Sequence, residues 1–268
     1  MVKEKEIFNR ARLLLGDGVM DEMARVRVIV FGVGGVGSWC AESLVRSGVR
    51  HLTIVDSDRV CVTNINRQLM ATTETVGQVK VDALRDHLLT VSPSAEIDAR
   101  CEVFTEATAE SFRLDDYDYI VDAIDSLSDK MLLIEMATRT RARFFSSMGA
   151  ALKIDPTRVR VAEFWRVEGC PLARSLRQRF KKAQRRPVRK FLCVYSDERL
   201  ENKPADDAEA IESAASYAAT SAPDITQQSS DAPRTPKKQA NGSLMHITAI
   251  FGLTIAGLVI QDIAGREG

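Results

Sequence analysis

Most of the side chains able to do chemistry on a phosphate fall between Gly32 and Asp125. Asn64-Ile65-Asn66-Arg67-Gln68 brings three amides and a guanidinium into five residues. A plain connection has no need of that set, whereas loops that bind ligands do. Arg67 offers a planar fork to a phosphate, and Asn64 or Asn66 can position one. Upstream, Gly32-Val33-Gly34-Gly35-Val36-Gly37 follows directly on an apolar run. In such a run Gly32 allows the tight turn, Gly34 lets backbone approach a phosphate, and Gly37 lets a helix pack on its strand. Asp56, 22 residues after Gly34, can accept hydrogen bonds from ribose hydroxyls. Asp122 and Asp125 end a later apolar run, where a carboxylate can hold Mg2+ against phosphates. Two of these residues have plainer readings: Asp125 as the cap of the next helix, and Lys80 as a surface lysine. Among three histidines, no Ser-His-Asp or Cys-His arrangement stands out.

Strands and helices must hold these groups in place. Val28-Ile29-Val30-Phe31 reads as a buried parallel strand. Ser38 to Ser47 has apolar positions at helical spacing and stops at Gly48, so its N-terminus would face an anion held by the glycines. His51–Val55 is the second strand. Lys3 to Ala24 reads as one or two helices, with Arg10 and Arg12 beside Leu13-Leu14-Leu15; the plain reading there is a solvated basic edge. Thr73 to Thr90 reads as a helix capped by Thr73, with an apolar stripe through Val76, Val79, Ala83, Leu84, Leu88 and Val91 and Lys80 near its middle. Ala95–Phe104 and Tyr117–Asp125 are the third and fourth strands, and Ser126–Arg139 the helix after them. Arg143–Ser147 and Arg158–Phe164 are two further strands. Strands alternating with helices predict an α/β fold with a Rossmann-like, doubly wound, mostly parallel sheet. An NAD-dependent oxidoreductase shares that frame, because fold does not decide function. It leaves Asn64–Gln68, Lys80 and the two acids unused.

The 268 residues carry 37 basic and 37 acidic side chains, so any attraction for nucleic acid must be local. Arg174 to Lys190 supplies such a patch, with nine basic residues, no acid, and aromatics at Phe180 and Phe191. Five widely spaced cysteines without a C-x-x-C pair suggest neither a zinc site nor a disulfide framework, and Cys40 and Cys101 read as buried thiols. The charged N-terminus lacks a secretory signal, which implies the cytoplasm. Glu201 to Asn241 has almost no large apolar residues and is expected to be disordered. Leu244 to Ile263 is long enough for a membrane span, but its polar interruptions and Gly252 and Gly257 favour a buried or dimer-interface helix.

Taken together, Gly32 to Ser38, Asp56 with Asp58, Asn64 to Gln68, Lys80 and Asp122-Ala123-Ile124-Asp125 resemble the ubiquitin-activating-enzyme superfamily, which includes the ThiF and MoeB adenylyltransferases. Within it, Asp58 to Gln68, Ile154-Asp155-Pro156-Thr157, Pro171 to Arg177 and Cys193-Val194-Tyr195-Ser196 are most similar to the tRNA threonylcarbamoyladenosine dehydratases. The family's Gly-Gly-x-Gly-Gly stretch appears here as Ser147-Met148-Gly149-Ala150-Ala151, a visible departure. The resemblance implies adenylation of the threonine carboxylate of threonylcarbamoyladenosine in tRNA, followed by closure to a hydantoin. Its cofactors would be ATP and Mg2+, and its assembly a homodimer with a possible cysteine-desulfurase or sulfur-acceptor partner. It assigns Gly32, Gly34, Gly35, Gly37, Asp56, Asp58, Asn64, Asn66, Arg67, Gln68, Lys80 and Asp122 to the nucleotide. Arg67 and Lys80 would offset phosphate charge, Asp125 would hold Mg2+, and Arg10, with Arg12 as second choice, would reach the partner subunit's ATP. The implied organisation is an ATP-binding adenylation domain over 1–165, a basic RNA-contacting segment over 166–200, a disordered loop over 201–242 and an apolar helix over 243–268. Two other readings stay open: activation of the C-terminus of a ubiquitin-like sulfur carrier, and a non-catalytic RNA-binding regulator.

Overall fold

The computed structural model describes residues 4–203 and 241–265. The apolar runs become strands buried on both faces: β1 (Arg27–Phe31), β2 (His51–Val55) and β4 (Tyr119–Asp122). With β3 (Glu96–Arg100), β5 (Arg143–Ser147), β6 (Val159–Glu163) and β7 (Leu192–Ser196), the described residues form a seven-stranded sheet in the order β3-β2-β1-β4-β5-β7-β6. All pairings are parallel except that of β6 with β7. This is the mostly parallel α/β sheet expected. From β1 the chain steps outward through β2 to β3, then returns to β4 on the other side of β1. The carboxyl ends of β1 and β4 therefore flank the point where strand order reverses, which is where open α/β sheets bind ligands.

The helices are α1 (Glu4–Ile7), α2 (Asn9–Arg25, broken at Gly16), α3 (Gly37–Arg46), α4 (Lys80–Val91), α5 (Leu127–Ala137), α6 (Pro171–Lys182) and α7 (Met245–Ala264). One sheet face, with Val28, Val30, Leu52 and Ile54, is covered by α2, α3, α4 and α7. The other, with Ile29, Phe31, Ile120 and Phe144, is covered by α5, α6 and an aromatic group around Phe104, Phe112 and Phe164.

Several expected boundaries move. The helix read from Thr73 begins at Lys80. Upstream, the Thr75 hydroxyl donates to Met70 O (2.7 Å) and accepts from Thr72 N–H (2.8 Å). Side-chain bonds of this kind hold a turn against helix formation. The third strand stops at Arg100, and Cys101 just beyond it is exposed rather than buried; Cys40 is buried as expected. Segment 166–200 contributes a strand to the sheet, since β7 inserts between β5 and β6. Phe180 and Phe191 belong to the core, so neither aromatic is available to a nucleic-acid base. The apolar helix packs along α3, with Ile247, Phe251, Ile255, Val259 and Ile263 fully buried. Its far end is pinned where Asp262 accepts from Tyr119 Oη (2.9 Å) and pairs with Arg143 (3.2 Å). That is the position of a core helix. Of the stretch expected to be disordered, residues 204–240 lie outside the described residues.

Candidate nucleotide-binding site

At the carboxyl ends of β1 and β4 lies a cleft of about 700 Å3, a size usual for small-molecule sites. Gly32, Gly34, Gly35, Asp56, Asp58, Asn64, Arg67, Gln68, Lys80 and Asp125 all line it. Its floor begins at Gly32, whose φ of +82° is open to glycine at no steric cost. A Cβ at Gly32 would also lie 2.7 Å from Ala123 O, and one at Gly37 would lie 1.8 Å from Gly32 O. Gly37 thus serves the turn from beneath rather than lining the cleft. The Ser38 hydroxyl donates to Gly34 O (2.7 Å) and accepts from Leu69 N–H (3.2 Å), while Trp39 Nε1 donates to Arg67 O (3.1 Å). Two α3 residues therefore lash the Asn64–Gln68 loop to the glycine turn. Ser38 closes the glycine motif in the sequence, but neither residue carries a local sign of this role.

Asp56 divides its carboxylate. Oδ2 accepts Val33 N–H and Oδ1 accepts Asp58 N–H, each at 2.9 Å. Lys80 Nζ lies 2.7 Å from Asp58 Oδ2 and 3.7 Å from Asp56 Oδ1. A short ladder, Val60 N–H to Gln78 O and Lys80 N–H to Asp58 O, delivers Lys80 to that place as the first residue of α4. Arg67 is held by Thr63 O (2.7 Å) and Asn66 Oδ1 (2.9 Å). Burial lowers the pKa of its guanidinium, while the charges of Asp125 and Cys61 pull it back up. Asn64 is buried, with Oδ1 accepting Cys61 N–H (3.1 Å). Gln68 is 6 % exposed, and its Oε1 has no hydrogen-bond partner among the described residues. A buried orphan acceptor in a cleft wall calls for a donor from a ligand, and nucleotide hydroxyls and amines supply such donors.

Besides Gly37, three expected site residues lie elsewhere. Asn66 turns away and donates to Ser243 O (2.9 Å), fastening the segment before α7. Asp122 is fully buried beneath the cleft, where its carboxylate is taken up by Lys130 (2.8 Å) and Ser146 (2.7 Å). Arg10 is on α2, exposed and outside the cleft lining. Conversely, Met148, Gly149, Ala150, Leu172 and Thr248 line one end of the cleft. Only the small residues after β5 gave a sign of that in the sequence.

The chain belongs to the ThiF family, whose profile matches residues 8–267. Over 175 residues it is 39 % identical to the tRNA threonylcarbamoyladenosine dehydratase of Bacillus subtilis, covering 65 % of this chain and 69 % of that protein. The Escherichia coli protein of the same name is 33 % identical over 177 residues, covering 66 % of each. The chain spans 38 % of tRNA threonylcarbamoyladenosine dehydratase 2 of Saccharomyces cerevisiae. Among solved structures, the E. coli dehydratase TcdA in complex with ATP superposes with a TM-score of 0.78 at 26 % identity, covering 100 % of both chains. Its AMP complex gives a TM-score of 0.80 at 25 % identity, covering 100 % of this chain and 98 % of the other.

Proposed function

We propose that this protein uses ATP to close threonylcarbamoyladenosine in tRNA to its hydantoin form. The observation that carries the reading is the convergence of the glycine turn, Arg67, Lys80 and Asp125 on one cleft at the switch point of the sheet. The full-length likeness to an ATP complex supports it. In this reading the threonine carboxylate attacks the α-phosphorus of ATP and the bond to pyrophosphate breaks. A carbamoyl nitrogen of the same nucleoside then attacks the activated carbon and loses its proton. AMP departs carrying one former carboxylate oxygen, so the net loss from the nucleoside is one water. Gly34 leaves room for the phosphates, Gly35 lets Thr248 pack close behind them, and Asp56 faces the ribose. Arg67 and Lys80 offset the charge that builds as pyrophosphate leaves. Asp125, an exposed carboxylate beside the phosphate-facing groups, suits Mg2+, which takes one or two carboxylates and completes its shell with substrate phosphates and water. The ion would supply further positive charge there.

The reaction is tested with the purified chain, Mg2+, ATP and tRNA bearing the modification. Loss of one water from the nucleoside, with AMP and pyrophosphate formed, is expected. AMP formed only on addition of a small ubiquitin-like carrier protein would overturn the substrate.

The tRNA backbone is assigned to α6 and the residues after it. Arg177 donates to Phe164 O and Val167 O, Arg185 pairs with Glu135, and Arg189 binds carbonyls of residues 138–142. Those three hold the fold. Arg174, Arg179, Lys181, Lys182, Arg186 and Lys190 are exposed, with no ion pair or side-chain hydrogen bond among the described residues. Leu172, at the start of α6, lines the cleft, so this charge leads away from its rim. Replacing Arg179, Lys181 and Lys182 by Ala should weaken tRNA binding and flatten its salt dependence by about one unit of slope for each phosphate no longer neutralised. An unchanged slope would remove α6 from the interface.

A second copy of the chain is the partner that fits α2, where Leu13 and Leu14 are 80 % and 83 % exposed. Arg12 is engaged with Asp17, whereas Arg10 has no partner among the described residues. Arg10 is therefore the residue proposed to reach the neighbouring cleft. Mixing Arg10→Ala chains with Lys80→Ala chains should recover activity that neither has alone, because a mixed dimer contains one intact site. No recovery would place Arg10 outside catalysis in trans.

A further inference from the structure

Beneath the cleft, Asp122 at the end of β4 and Lys130 in the first turn of α5 are both fully buried and lie 2.8 Å apart. Asp122 Oδ2 also accepts the Ser146 hydroxyl (2.7 Å), and Oδ1 accepts Ile124 N–H (3.0 Å). Lys130 Nζ donates to Ile124 O (2.9 Å). The pair thus grips residue 124 at both ends, its N–H by the carboxylate and its carbonyl by the ammonium. The preceding residue is fixed as well: Ala123 N–H donates to Phe31 O (2.8 Å), and Ala123 O abuts Gly32. The next residue is Asp125, whose carboxylate enters the cleft.

A buried ion pair is a poor device for stability. Taking both charges out of water costs several kcal/mol per ion, and apolar residues of equal volume often do as well or better. What this pair does that an apolar pair would not is fix the direction of the two peptides that flank Ile124, Asp122 holding the one before it and Lys130 the one that joins it to Asp125. We infer that Lys130 is a positioning residue: through the Ile124 carbonyl it aims the Asp125 carboxylate at the metal that accompanies ATP. This rests on the assignment of Asp125 to Mg2+ proposed above. The signal was present in the sequence as one lysine opening the otherwise apolar Met131-Leu132-Leu133-Ile134, but its partner could not be read there.

The test removes both charges together, as Asp122→Asn with Lys130→Met, so that no buried charge is left unpaired. Binding of a non-hydrolysable ATP analogue to the full chain is measured calorimetrically with and without Mg2+, alongside the melting temperature. Metal-free affinity should stay within about threefold of the parent, while the gain in affinity on adding Mg2+ should fall by about tenfold or more, as when the support of a metal ligand is lost. Should that variant fold poorly, Asp122→Asn with Lys130→Gln fills the site with amides; its shorter stem misses the carbonyl, and the same loss is expected. A full Mg2+ gain in a folded double variant would overturn the inference and leave the pair as packing. The parent chain and Asp125→Ala are run in parallel. No Mg2+ gain in the parent, or a full gain in Asp125→Ala, would instead overturn the assignment of Asp125, and the inference with it.

Discussion

Replacing Lys80 by Ala slows ATP–pyrophosphate exchange about a hundred- to a thousandfold, the usual cost of removing one fixed group that meets charge developing in a transition state. The structure gives a reason for a loss of that size. Lys80 Nζ stands between Asp58 and Asp56 at 2.7 Å and 3.7 Å. Removing it takes away the positive charge proposed to face the phosphates and also leaves two carboxylates that would repel them. Some stability should be lost, because the Lys80 and Asp56 side chains are only 7 % and 11 % exposed, but the nearer partner, Asp58, is 68 % exposed and stays solvated, so the fold should survive. A folded variant with a modestly lowered melting temperature and exchange reduced at least about a hundredfold is therefore the expected result. Full exchange in the variant would remove Lys80 from the chemistry and leave it as a strut between α4 and the loop after β2.

The second large effect comes from a residue with no side chain. Replacing Gly252 by Ala should lower the melting temperature by about 2–12 °C, from about 1–3 kcal/mol of overpacking at about 2–4 °C per kcal/mol in a domain of this size. A Cβ there would meet Val36 O at 2.3 Å and Cys40 N at 2.9 Å, and these are backbone atoms of the α3 N-terminus that cannot swing aside. Val36 directly follows Gly35, and on the same helix as Gly252, Thr248 lies 3.1 Å from where a Cβ on Gly35 would be. Pushing α7 outward therefore disturbs the phosphate cradle, so ATP should bind more weakly as well. Gly257 is the control. A Cβ there meets nothing within 4 Å among the described residues, and Ala in a helix is about 1 kcal/mol better than Gly. Gly257→Ala should leave stability equal or slightly higher. Equal losses in both variants would mean that α7 is not docked through Gly252.

The sequence alone determined the parts that local units encode. Strand, glycine turn and helix are contiguous, so Gly32, Gly34, Gly35 and Asp56 could be assigned from spacing, and the run Asn64–Gln68 marked its own loop. The alternation of such units was enough for the parallel sheet. Tertiary structure decided which way side chains turn and what meets them. Asn66 and Asp122 looked as available as their neighbours, yet their partners are Ser243, 177 residues on, and Ser146, 24 residues on. Lys80 read as mid-helix because the apolar stripe runs through Val76 and Val79, and only the pairing of residues 58–60 with 77–80 makes it the first residue of α4. Phe180 was open to a different reading from sequence, since Ala173, Leu176 and Phe180 form a helical stripe, and the structure buries all three. The insertion of β7 between β5 and β6 had no local signal. Periodicity and motif spacing report interactions within a few residues, whereas the facing of a side chain and the order of strands are set by packing between segments distant in the chain, and that packing exists only once the core has formed.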